Sequence, residues 1–361
     1  MRAIDFFCGG GGITRGLLNA GIDVVAGVDI CEEYRQTYEQ NNRNRFIAKS
    51  ITDISPEDIT GLLPDIRTAN DILFAGCAPC QPFSKQRKSV EEHRDRNLLI
   101  EFGKVVKEYR PAYVLVENVP GIQGKGKDIL DSFLKTLEKC GYRVDHKILN
   151  AKNYGVPQNR RRMVLIASRV TEIIFPIITH DGSAEHPYRT VFDAINRFPR
   201  IGAGEGDTIV PNHHATRLSE TNLKRIQATA HDGGSRTEWP DNLILDCHKA
   251  EGAGHTDVYG RMAWNSVSPT LTSKCCSLSN GRFGHPEQDR AISFREAAAI
   301  QSFPDNYVFY GNSDAVIGRQ IGNAVPVLFA QALGEALLQM EQRYISQHKS
   351  TPVNTCQHLS T

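Results

Sequence analysis

Residues 1–29 read MRAIDFFCGGGGITRGLLNAGIDVVAGVD. Ala3–Phe7 is a short apolar strand candidate that runs into Cys8 and four glycines, Gly9 to Gly12. A helix-like span, Gly12–Asn19, comes next, and a second apolar run, Val24–Val28, ends at Asp29. Parallel neighbours need a crossover connection, and strand, helix, strand is the unit that supplies it. The alternation continues outward. Strand candidates are Asp71–Ala75, Tyr113–Val116, Arg143–Leu149 and Arg162–Ala167, and helix-like spans are Glu32–Asn41, Asn97–Tyr109 and Lys127–Cys140. The expected class is α/β, a doubly wound, mostly parallel sheet covered on both faces.

After about residue 175 the rhythm changes. GAGEGD, HDGGSR, EGAGHTDVYG and SNGRFG read as turns, and the segment is too long for a mere linker. It is expected to form a second, smaller, loop-rich domain, since loops on a rigid scaffold often carry binding function. Regular helix returns at FREAAAIQSF, and a last amphipathic helix over about Val325–Tyr344 is expected to pack on the first domain. The expected division is 1–175, 176–288, 289–345 and a polar tail, 346–361.

The composition is that of a globular protein: 40% of the 361 residues are hydrophobic and 23% charged, which excludes a disordered, collagen-like or coiled-coil chain. No apolar run reaches the roughly 18–20 residues that span a bilayer, and the N-terminus lacks a signal-peptide layout. A soluble, cytoplasmic protein without membrane attachment is expected. Forty-two Lys and Arg balance 41 Asp and Glu, so a polyanion partner would have to meet a local patch. Nine cysteines, an odd number in a medium-sized chain, point to reduced thiols.

The glycine turn leaves amides at a helix N-terminus and lets backbone approach a ligand. It lacks the lysine of a phosphate loop. Asp29 follows about twenty residues on, where nucleotide-binding folds place the carboxylate for a ribose. A Gly-rich turn alone is often only a tight connection; with Asp29 it suggests an adenosine-containing cofactor.

DILFAGCAPCQPFS, residues 71–84, places Cys80 between Pro79 and Gln81 at the carboxyl end of a buried-looking strand. Prolines fix that loop, and α/β sites lie at such strand ends. Cys77-x-x-Cys80 also fits a redox pair or half a zinc site, but no second cluster supplies further ligands, and Cys275–Cys276 are badly spaced for one. Cys77 reads as a structural cysteine and Cys80 as a nucleophile. The next apolar strand ends in Glu117-Asn118. Most carboxylates are solvated, yet one at the buried sheet edge beside Cys80 reads as an acid/base group. In Gln158-Asn159-Arg160-Arg161-Arg162, alternation puts Arg160 and Arg162 on one face, aimed into the site, if the strand begins early. His213-His214 has no partner at metal-ligand spacing and reads as a surface pair or a contact to a polyanion partner. No metal is expected.

DFFCGGGG, AGVD, Asp53-Ile54, APCQPFS, ENV, QNRRR, REAAAIQSFP and QIGNAVP occur in the order of the motifs of cytosine-C5 DNA methyltransferases, which this sequence resembles over most of 1–168 and 289–330. The resemblance implies a Rossmann-like methyltransferase fold, with the middle segment as target-recognition domain. It implies S-adenosylmethionine as cofactor, lined by Phe7, Gly9 and Gly12, with Asp29 and Ile30, Asp53 and Ile54, Pro79, Leu98, Asn323 and Val325 completing the pocket. Asp29 stands where the family more often has Glu. It further implies that Cys80 attacks cytosine C6, Glu117 holds N3 and N4, Arg162 binds O2, and Arg160 positions the loop or a phosphate. Double-stranded DNA is the implied partner, with the base flipped out. Arg160, Arg161, Arg162, Lys85, Arg87 and Lys88 form the expected basic surface for phosphates. A monomeric bacterial or phage modification enzyme, acting apart from a cognate restriction endonuclease, is the expected context.

Other classes fit less well. A tRNA-modifying relative would not need so long a middle segment. A non-catalytic DNA-binding homologue would be expected to have lost Cys80, Glu117 or the glycine turn. A nicotinamide oxidoreductase leaves Cys80, Glu117 and QNRRR without a role.

Overall fold

The structure is a computed structural model that describes residues 1–79, 97–249 and 257–349. Cys80, Lys85, Arg87 and Lys88 lie outside the described residues, as does most of the polar tail.

Seven strands form one sheet in the order β3-β2-β1-β4-β5-β7-β6. β1 (Arg2–Phe6), β2 (Asp23–Asp29), β3 (Arg45–Ala48), β4 (Ile72–Gly76) and β5 (Tyr113–Asn118) run parallel. β4 (ILFAG) and β5 (YVLVEN) are buried at every position, as strands covered on both faces must be. β6 (Arg143–Asn150) and β7 (Arg161–Ser168) form an antiparallel pair, and β7 runs antiparallel to β5. β6 is the outer edge and alternates with exposed positions, Arg143 and Lys147 among them.

α4 (Leu98–Tyr109) and α5 (Lys127–Lys139) cover one face, burying Phe102, Val106, Ile129 and Phe133 in a common cluster with Phe6 and Phe74. α1 (Gly12–Ala20) and α10 (Val327–Lys349) cover the other, with Leu17, Phe329, Leu333 and Leu337 against Val24, Leu73 and Leu115. The sheet is therefore doubly wound. The stretch 314–348 has the length and composition to cross a membrane, but most of its most apolar part is buried in this fold.

Sequence periodicity missed β3, α3 (Pro56–Thr60) and α9 (Asp314–Asn323), and α2 (Arg35–Asn42) is preceded by a single 3-10 turn over the start of its expected span. β3 and α3 are shorter than the window in which a period declares itself. The middle segment carries α6 (Val191–Ile195), α7 (Glu220–Gln227) and short 3-10 turns, with only isolated bridges among its described residues. The expected boundary at 288/289 does not separate two cores. Val191, Ile195, Leu271 and Phe283 share one cluster with Phe294 of α8 (Phe294–Ile300), Phe309 and Ile321. The chain rejoins the sheet's own core only at Val325.

Candidate active site

β1 lies between β2 and β4, and chain connections leave it in opposite directions, so a crevice opens outside the carboxyl ends of these strands. The glycine turn fills one side of it. Phe7 takes φ +59°, a left-handed value that a bulky residue rarely adopts, and Gly9 takes +52°. A Cβ at Gly12 would stand 2.4 Å from the Val325 carbonyl oxygen, so glycine alone lets the C-terminal segment close on this turn. A Cβ at Gly9 would meet nothing within 4 Å; the space before it is open.

Asp29 holds the turn. Gly9 N–H donates to its Oδ2 at 2.9 Å and Cys31 N–H to its Oδ1 at 2.9 Å. Burial pushes the Asp29 carboxyl up, and these amides oppose the shift. Each oxygen keeps a further acceptor position. Ile30 beside it is 74% exposed, a large apolar side chain at the crevice. Phe7, Ile54 and Leu98 pack partly buried on the α4 and α5 face. Asp53 is exposed and accepts from Thr52 Oγ1. Asn323 ends α9 with its side chain exposed, and Val325 is buried against Gly12. Pro79 is the last described residue before Cys80. Open room, a carboxylate with spare acceptor positions and an exposed apolar face fit an adenosine-bearing ligand.

Beneath the glycine turn, Asp5 is wholly buried and accepts from Thr14 N–H at 3.1 Å and Thr14 Oγ1 at 2.7 Å. Burial pushes its carboxyl up to about 7. Burial also pushes the Cys8 thiol well up, which makes it inert. All described cysteines are free.

The other side of the crevice is charged. Glu117, 2% exposed, is the last residue but one of β5. Because β7 runs antiparallel to β5, the start of β7 lies beside the end of β5, and Arg162 Nε stands 2.8 Å from Glu117 Oε1. The Cys77 thiol, one residue past β4, donates to Glu117 Oε2 at 3.0 Å. Asn118 Nδ2 donates to the Ala78 carbonyl at 3.3 Å, tying the loop toward Cys80 to the same strand end. Sequence reasoning set Cys77 aside as structural and passed over Asn118; their positions at the ends of adjacent buried strands were the available signal.

Arg160 departs from expectation. It is 3% exposed, and its guanidinium donates to the carbonyls of Leu271, Gly322 and Ala324. It precedes β7, does not join Arg162 at Glu117, and is too deeply buried to meet a phosphate. Instead it holds the segment that carries Asn323 and Val325. Gln158 assists, donating to Gln301 Oε1 and accepting from Leu271 N–H. Arg162 is largely buried too, so of the three arginines only Arg161 is exposed and available to a basic surface. His213 is buried, hydrogen-bonded to Ser293 Oγ and the Pro199 carbonyl, so it is not a surface or DNA-contacting residue. His214 pairs with Asp314 at 2.9 Å. Among the described residues no group of His, Cys, Asp and Glu could hold a metal.

The family model for C-5 cytosine-specific DNA methylases matches residues 1–339. The chain belongs to this family. The methylase is 42% identical over 352 residues to the type II methylase M.HgiDII of Herpetosiphon aurantiacus, covering 95% of each chain. It is 35% identical to the type II methyltransferase M1.HphI of Haemophilus parahaemolyticus, over 94% of this chain and 87% of that one. Among solved structures, a DNA modification methyltransferase encoded within an E. coli prophage superposes with a TM-score of 0.70 at 22% identity, covering 95% of the methylase and 99% of that chain. The S. pombe Dnmt2 methyltransferase superposes at 0.62 and 18% identity, over 94% and 98%. At these identities the last two likenesses concern the fold.

Proposed function

We propose that this methylase transfers a methyl group to C5 of cytosine in double-stranded DNA, as the modification half of a type II restriction system. The observation that carries the reading is Glu117, almost fully buried at the sheet's carboxyl edge and ion-paired to Arg162 beside the loop that leads to Cys80. Full-length likeness to two proteins named as type II methylases supports DNA over tRNA as substrate.

Cytosine C5 is a poor nucleophile. Cys80 supplies the remedy: its thiolate adds to C6, and the ring becomes an enamine with electron density at C5. Glu117 holds N3 and N4 and provides the proton that lets charge build on the ring. Arg162 binds O2. Loss of the C5 proton then restores the C5–C6 double bond and expels Cys80. S-adenosylmethionine, when bound, supplies an electrophilic methyl group. Phe7, Gly9, Gly12, Asp29, Ile30, Asp53, Ile54, Pro79, Leu98, Asn323 and Val325 would hold it, and Arg160 supports this pocket from behind. A stacked cytosine offers neither face of C6, so the base is taken out of the duplex. Residues 176–288 read the sequence around it. The protein works as a monomer in the bacterial cytoplasm, apart from its cognate endonuclease.

The test is bisulfite sequencing of plasmid from a methylation-free host expressing the protein, with Cys80→Ser alongside. Protected cytosines in one short recurring sequence, lost with the variant, are expected. Protection that survives Cys80→Ser rules out the covalent route, and fully converted DNA turns the reading toward tRNA.

A further inference from the structure

Glu117 has two carboxylate oxygens and a neighbour for each. Its strand, β5, lies between β4 and β7. From the β7 side comes Arg162, whose Nε stands 2.8 Å from Oε1 without an aligned hydrogen bond to that atom. From the β4 side comes Cys77, whose thiol donates to Oε2 at 3.0 Å. The terminal torsion of a glutamate is broad, so an ion pair at one oxygen leaves the carboxylate plane free to turn. A donor at the second oxygen removes that freedom.

The two strand ends cannot drift apart. Asn118 Nδ2 donates to the Ala78 carbonyl, Asn118 Oδ1 accepts from Val119 N–H, and Cys77 N–H donates to the Phe6 carbonyl. Cys77 is therefore fixed on β1 through its backbone, on β5 through its side chain, and three residues before Cys80.

We propose that Cys77 is a positioning residue for the methyl-transfer reaction: its thiol hydrogen bond sets the plane of the Glu117 carboxylate, so that Oε1 is presented to the base. The proposal rests on the reading of Glu117 given above. Cys77 does not touch substrate and forms no covalent bond. It acts through Glu117, and it needs a hydrogen-bond donor there rather than sulfur.

Three substitutions separate this role from space-filling. Cys77→Ala removes the donor, Cys77→Val removes it while keeping bulk, and Cys77→Ser keeps it. Single-turnover methylation of a saturating DNA duplex is measured beside KM for S-adenosylmethionine, DNA affinity and melting temperature. The alanine and valine variants are expected to react about tenfold more slowly, the scale of one hydrogen bond to a charged group in the transition state. Their DNA affinity and KM should stay within about twofold, because no binding contact is lost. Cys77→Ser should recover most of the rate. A valine variant as fast as the parent overturns the proposal, and so does a serine variant as slow as alanine, or rates that simply follow melting temperature. Glu117→Gln is the control. If it reacts at the parental rate, the reading of Glu117 fails; if it is slow while every Cys77 variant is fast, only the role of Cys77 fails.

Discussion

The sheet and the strandless region after it solve one problem in two ways. Every buried backbone carbonyl needs a donor. In the sheet the donors are amides of the next strand, and the interior can be apolar: Leu73, Phe74, Val114 and Leu115 are fully buried. Beyond residue 190 there is no ladder among the described residues; short helices and scattered loop amides satisfy part of the carbonyls, and side chains donate to others. The largest fully buried side chains among the described residues are arginines, Arg261, Arg290 and Arg295. Arg261 donates to the carbonyls of Ile226, Thr229, His285 and Gln288. Arg290 reaches those of Ile201 and Ala291 and makes two bonds of 2.7 Å to Glu296. Arg295 reaches those of Pro211, Pro304 and Tyr307. A guanidinium has five donors in a rigid fork, so one side chain can gather loops that share no strand.

The sharpest way to break this comparison is to remove one fork. Arg290→Met would leave Glu296 charged and buried and strip donors from the carbonyls of Ile201 and Ala291. Breaking a buried pair from one side costs about 3–5 kcal/mol. The loss should be regional. In hydrogen exchange, amides of residues 191–325 are expected to lose protection while those of β1, β4 and β5 keep theirs. Equal loss throughout would mean that the strandless region has no core of its own.

This difference also sets what could be read in advance. The sheet was legible because apolar runs such as Tyr113–Val116 are local, and Glu117 was legible because a carboxylate after such a run must sit at the strand's end. The glycine turn and Asp29 followed from their spacing. Arg160 does not share the face of Arg162 because the strand does not begin early enough; β7 starts at Arg161. Its partners, Leu271, Gly322 and Ala324, are more than a hundred residues away in sequence. The contact between Cys77 and Glu117 was not legible because it depends on which strand lies next to β4. Arg261, Arg290 and Arg295 carried no local signal, since nothing in the adjacent sequence marks an arginine for burial.

The two regions should also answer pH with opposite signs. Asp5, under the sheet's glycine turn, has its carboxyl raised to about 7 by burial. Its contribution to stability is full below pH 3.8, its ordinary value, and is lost as pH rises through 7. His285, in the strandless region, is held down to about 4 by burial. Its Nδ1 accepts from the N–H groups of Glu287 and Gln288, which requires that nitrogen unprotonated. Its contribution is full above pH 6.5 and is lost as pH falls through 4. At about 1.4 kcal/mol per pKa unit, the effect is at most roughly 4 kcal/mol for Asp5 and roughly 3 kcal/mol for His285. Urea titrations from pH 4 to 8 should show Asp5→Asn gaining on the parent as pH rises, and His285→Gln gaining as pH falls. Parallel curves for parent and variants would remove both assignments.

The contrast ends at the surface. Glu220–Lys224 on α7 and Lys127–Asp131 on α5 are exposed pairs four residues apart, with N–O distances of 2.8 and 2.6 Å. Neither bridges loops or covers a carbonyl, so the region each belongs to should not matter, and helix direction should. Glu220 lies in the first turn of α7 with Lys224 nearer its end, the order that the helix dipole favours. In α5 the order is reversed, with Lys127 at the helix start. Lys224→Ala is expected to cost a few tenths of a kcal/mol and Lys127→Ala less. Salt should erase the difference, since exposed pairs are screened within about 10 Å at 0.1 M. Urea titration at low and moderate salt measures it; a Lys127→Ala loss that exceeds Lys224→Ala and persists in salt would show that α5 uses this pair for packing rather than charge.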